Sequence, residues 1–155
     1  MNKQLPQIVE ESIKLELNVA KLYEFYSTAF PENIHFWKEL ALEEETHANL
    51  IKSLRNVLLP FNKFPSEILS SSLQDLIEVN NKLLSLLKEY NNKPPSKESA
   101  FSFAIALEES AGEIHFQHAM NKSSDTEAIK VFQRLVKDDK DHAERIRSYM
   151  KYEGI

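Results

Sequence analysis

From Pro6 onward the apolar residues Val9, Ile13, Ala20 and Tyr23 recur at helical steps, and Pro31 closes the run. A second stripe of the same period, Trp37, Leu40, Ala41, Ala48, Ile51 and Leu54, ends at Pro60. Proline thus stands at the ends of the periodic runs and never inside them, which confines this part of the chain to two long helices joined as a hairpin. Glycine agrees. Only two occur in 155 residues, too few for the tight turns of sandwiches, propellers or small barrels.

The rest of the chain follows the same plan. Residues 60–95 hold four prolines around an amphipathic stretch, Leu69 to Tyr90, which carries Leu73, Leu76, Ile77, Leu83, Leu84 and Leu87. A further helix is expected from Ser96, its cap, to Met120, and another from Ser124 to Met150, with the polar run NKSSD between them. The reading is all-α: one domain over 1–155, with a hairpin at about 6–59, a helical crossover at 60–95 and a second hairpin at about 96–151. Two hairpins joined by so long a connector place their inner helices parallel, and the crossover must climb the full height of the bundle.

Cysteine is absent, which removes disulfide scaffolds, thiolate zinc sites, iron–sulfur clusters and cysteine nucleophiles together. Any metal must be held by oxygen and imidazole. The 19 basic and 24 acidic residues give a formal charge of −5 with no Lys/Arg stripe, so nucleic acid is not an expected partner. Nor is a membrane: the N-terminus is punctuated by acids, and no window approaches the apolar length of a span. A soluble, cytoplasmic chain is expected.

Four acids lie on the apolar stripes. Glu16 falls in the row Val9, Ile13, Glu16, Ala20, Tyr23; Glu44 follows Leu40 and Ala41; Glu109 follows Ile105 and Ala106; Asp139 follows Leu135 and Val136. Each is expected to face the core. His47 and His142 stand three residues after Glu44 and Asp139, a step that keeps both side chains of a pair on one helix face.

The hairpins also repeat one another. Glu16 to Tyr23 aligns with Glu109 to Phe116, and Trp37, Leu40, Glu44, His47, Ala48 and Ile51 align with Phe132, Leu135, Asp139, His142, Ala143 and Ile146. Internal duplication of this kind builds a pseudo-twofold axis, about which paired ligands form two equivalent metal positions. All four acids lie at nearly the same height above their connecting loops, so they can converge. Four buried carboxylates are costly alone, and two divalent ions balance them while the imidazoles coordinate as neutral ligands. Oxygen and imidazole donors without sulfur suit iron or manganese, and zinc fits on affinity.

Two carboxylate helices with two carboxylate-x-x-His helices resemble the ligand scheme of ferritin-like di-iron carboxylate proteins. Glu16-x6-Tyr23, Glu44-Glu45-Thr46-His47-Ala48 and the long helical crossover are most similar to the rubrerythrin-like branch. The resemblance implies a ferritin-like four-helix bundle, with Glu16 and Glu109 as terminal ligands, Glu44 and Asp139 as bridges, and His47 and His142 as one nitrogen ligand per ion. It implies two irons and an oxidoreductase acting on peroxide or oxygen, or ferrous iron oxidation. The alternatives are iron or manganese handling without turnover, and a structural bundle with a vestigial site. Three departures bear on these expectations. Without cysteine there is no rubredoxin domain, so electrons must come from an external donor. Asp139 replaces the usual Glu. Gly112 stands where the family carries an extra carboxylate, and Glu113, one residue on, is the candidate to replace it.

Other residues receive plainer readings. Glu43, Glu45, Glu108, Asp138, Asp141 and Glu144 fall off the apolar stripes and are expected on a solvated face. Glu32 and His35 belong to a helix start. His115 and His118 are expected in solvent. Tyr23 and Phe116 are core wall, with the Tyr23 hydroxyl in reach of a carboxylate. The leucines of 69–90 form the buried side of the crossover or the surface of a homodimer.

Overall fold

The computed structural model describes residues 4–64, 72–116 and 127–155, with side chains throughout except at 111–116, 127–129, 131, 132, 135, 136 and 138–140. Every regular element among the described residues is helical: α1 (Leu5–Ala29), α2 (Ile34–Leu58), α3 (Leu73–Asn92), α4 (Lys97–Phe116) and α5 (Glu127–Glu153), with single 3-10 turns at Pro31–Asn33 and Leu59–Phe61. The chain is all-α, as its periodicity requires. No helix of the described residues is long and apolar enough to cross a membrane.

Helix ends follow local chemistry. Pro6 sits in the first turn of α1, where its missing N–H costs nothing. Pro31 then opens the 3-10 turn that reverses the chain into α2. Ser72 caps α3 by accepting from the Asp75 N–H, and Ser96 caps α4 in the same way with Ser99, both at 3.2 Å. After α2 the backbone turns at Asn62, whose φ of 56° lies in the left-handed region that asparagine tolerates. The expected polar loop at 121–125 and the first residues of the expected crossover helix lie outside the described residues.

Contacts define the helix directions. Glu10 meets Arg55, Glu16 meets His47 and Tyr23 meets Trp37, so α1 and α2 are antiparallel. Phe101 with Tyr149 and Glu108 with His142 make α4 and α5 antiparallel too. Trp37 meets Phe101 and Glu44 meets Glu108, which sets α2 parallel to α4, the orientation a long connector demands. That connector is α3. It lies parallel along α1, with Asn18 meeting Asn80 and Tyr26 meeting Tyr90.

The core is widest in large side chains at the turn end of the α1–α2 hairpin, where Tyr23, Tyr26, Trp37 and Phe101 are fully buried. Truncating a residue such as Trp37 there would cost about 3–5 kcal/mol. α1 is covered on two sides, because the row containing Asn18 and Phe25 is buried by α3 while Val9, Glu16 and Tyr23 face the other helices. Leu76 and Leu83 of α3 point inward, so this part of the leucine stripe is the buried side of the crossover.

Candidate metal centre

A side chain seven residues along a helix returns to nearly the same face two turns later. Three buried acids occupy that position relative to a fully buried apolar residue: Glu16 after Val9, Glu44 after Trp37 and Glu108 after Phe101. The faces that build the core therefore also carry the carboxylates inward. α1 contributes Glu16, α2 contributes Glu44 and His47, α4 contributes Glu108 and α5 contributes His142, and all five are buried.

They form two groups. In the first, His47 Nδ1 lies 3.7 Å from Glu16 Oε2 and 3.7 Å from Glu44 Oε2. In the second, His142 Nδ1 lies 3.0 Å from Glu44 Oε1 and 3.5 Å from Glu108 Oε2. Within each group the candidate ligand atoms all fall within 4.8 Å of one another, close enough for one ion to touch all three. Glu44 belongs to both and turns one oxygen to each histidine. The imidazoles stack across it, with ring centroids 5.7 Å apart and planes inclined by 13°.

Burial first, and then the charges of Glu108 and Glu16, raise the Glu44 carboxyl well above the ordinary range. Burial alone would lower both histidines, but the adjoining acids win. Glu16 and Glu44 hold His47 up at about 12, while Glu108 and Glu44 hold His142 up at about 10. Without metal, then, the centre retains protons on three of its groups. A cation offered carboxylate oxygen and imidazole nitrogen takes over the work of those protons, so the residues fit a metal ion by charge as well as by distance.

Polar side chains around the second group support it. The Tyr23 hydroxyl donates to Glu108 Oε1. Behind His142, Glu43 Oε2 stands 3.5 Å from Nε2, and Arg145 Nη1 donates to both Glu43 oxygens at 2.9 and 2.8 Å. Such an arrangement favours the proton on Nε2 and leaves Nδ1 to coordinate.

Of the six expected ligands, the structure brings Glu16, Glu44, His47 and His142 together. Glu109 is a correction: its side chain is 53% exposed and pairs with Arg147 on the surface. Glu108, expected in solvent, takes the inward place at 2% exposure. The reason is local. Residues 100–107 are apolar on almost every side, so stripes can be drawn through either acid, but the buried row is Ala100, Phe101, Ala104, Leu107 and Glu108. The spacing from Phe101 to Glu108, equal to that from Trp37 to Glu44, is the signal that separates them. Glu43 is likewise half-buried against His142 rather than free on a solvated face. The side chains of Asp139 and Glu113 lie outside the described residues.

Buried Glu and His groups are thus positioned to hold a metal ion. No family model, curated protein or solved structure matches the chain.

Proposed function

We propose that the chain is a ferritin-like protein of the rubrerythrin-like kind, holding two iron ions and reducing peroxide or oxygen with electrons from an external donor. The observation that carries this reading is the sharing of Glu44 between two buried carboxylate–histidine groups on four helices. A carboxylate with one oxygen in each group suits a bridge between neighbouring ions. Glu16 with His47 and Glu108 with His142 would then hold the ions from the outer sides.

When bound, such a pair of ions supplies the electrons that cleave an O–O bond. The protein does the rest. Its helices exclude water from the cluster, Glu44 offers one oxygen to each group, and the Tyr23 hydroxyl donates to Glu108 Oε1, within the centre. Glu16, Glu44 and Glu108 supply three negative charges against four positive, and Asp139, three residues before His142, is the fourth carboxylate that the balance calls for.

Elemental analysis of protein purified without added metal tests this reading directly. Two irons per chain, with steady peroxide consumption in the presence of a reductant, are expected. Two bound ions without turnover would instead make the protein a metal carrier, and a chain that takes up no metal when offered ferrous iron would overturn the assignment.

A further inference from the structure

Between the metal centre and the outer edge of α1 and α3 runs an unbroken series of oxidisable rings. Tyr23, whose hydroxyl touches Glu108, lies 5.4 Å from Trp37 between ring centroids. Trp37 lies 4.8 Å from Tyr26, and Tyr26 lies 6.0 Å from Tyr90. The first three are fully buried, while Tyr90, at 8% exposure, is the first to reach solvent. We infer that Tyr23, Trp37, Tyr26 and Tyr90 form an electron relay, along which an external one-electron donor acting at Tyr90 supplies the metal centre. The inference rests on the metal-dependent reading above and extends it by naming the route.

Packing alone does not account for these residue types. Phenylalanine at 23 and 26 would fill the same space without burying a hydroxyl. The Tyr26 hydroxyl is instead buried at 3.3 Å from that of Tyr90. The indole N–H of Trp37 has no acceptor among the described residues, which favours recovery of an electron by an oxidised Trp37 over loss of its proton. Tyr149 is separated from Trp37 by the rings of Phe36 and Phe101, which are much harder to oxidise.

The steps balance. Tyr23 gives an electron to the centre, oxidised by peroxide or oxygen, and its hydroxyl proton to Glu108. It regains an electron from Trp37 and its proton from Glu108, leaving the indole as a radical cation. Trp37 takes an electron from Tyr26, whose proton passes to the Tyr90 oxygen while the Tyr90 proton leaves to solvent. Tyr26 then takes an electron and a proton from Tyr90 across their contact. Finally the donor returns one electron to Tyr90 and solvent returns one proton, so the net result is one electron moved inward.

The test reads radicals and not only activity, in a Tyr152→Phe background, because Tyr152 is 86% exposed and would trap an oxidant by itself. Iron-loaded protein is mixed with hydrogen peroxide, frozen, and followed by electron paramagnetic resonance after ascorbate is added. A tyrosyl signal that ascorbate discharges is expected, and Tyr90→Phe should slow the discharge roughly tenfold, as should Tyr26→Phe. Metal-free protein oxidised by a flash-generated ruthenium(III) polypyridyl should also form a buried tyrosyl radical through Tyr90, with its yield reduced in Tyr90→Phe. Discharge and yield unchanged in both variants would overturn the relay. Absence of bound iron would strike the metal reading alone, because the flash experiment tests the rings without it.

Discussion

His47 and His142 occupy equivalent places in the two halves of the molecule, yet their surroundings differ. His142 stands 3.0 Å from Glu44 and is backed by Glu43, itself gripped by Arg145. His47 stands 3.7 Å from each of its two acids. The acid on the His142 side is also held by Tyr23. Two groups built from the same residue types therefore differ in spacing. The His142 group is the more closely set and the His47 group the wider.

Glu44 is where the difference should vanish, since both groups depend on it. Glu44→Ala is expected to abolish binding at both, with metal content by elemental analysis falling to near zero. Next in size is the contrast on α4. Glu108→Ala should lower affinity at the His142 group by about 100-fold or more, judged against the 10- to 100-fold typical of losing a supporting residue. Glu109→Ala should leave metal titrations unchanged and cost no more than about 0.5 kcal/mol, because its pair with Arg147 is exposed.

The protons sharpen the comparison further. Both histidines are raised above 6.5 in the folded state, His142 to about 10 by Glu108 and Glu44, His47 to about 12 by Glu16 and Glu44. The folded chain therefore holds protons that the unfolded chain releases. Stability from this source is complete below pH 6.5 and is lost as pH climbs through those values. The raised Glu44 acts with the same sign, its share declining from its ordinary value of 4.5 upward. Melting temperatures of metal-free protein should fall from about pH 6.5 upward, and His142→Gln should remove the part of the decline that ends near pH 10. Metal affinity should rise over the same range, because binding displaces these protons. Among the changes that weaken binding the mildest is Glu43→Gln, which should weaken the His142 group roughly tenfold in calorimetric titration and leave the His47 group unchanged.

The helices and four residues of the buried cluster were legible from sequence because two signals coincided there. On α1 and α2 an acid interrupts a clear apolar stripe, and His47 and His142 recur in matched surroundings. α4 lacks the first signal: with Phe101, Phe103, Ile105 and Leu107 on different sides, polarity cannot tell Glu108 from Glu109. The seven-residue step from Phe101 to Glu108 decides, and it gains its meaning from the neighbouring helix, where Phe101 meets Trp37. Glu43 was illegible for another reason, since its role depends on Arg145, distant in the chain and on a different helix. That the crossover climbs the bundle was set by length, but its place along α1 and its register were not.

That register is fixed by two amides. Asn18 Nδ2 donates to Asn80 Oδ1 at 3.0 Å, and Asn80 Nδ2 donates to Glu11 at its carbonyl and its carboxylate, at 3.0 and 2.8 Å. Sliding α3 by even one residue would strand these groups away from water, at a cost of about 1–3 kcal/mol for each. The crossover is thereby keyed like a bolt in a lock, and two asparagines bring Tyr90 of the outer helix to rest against Tyr26.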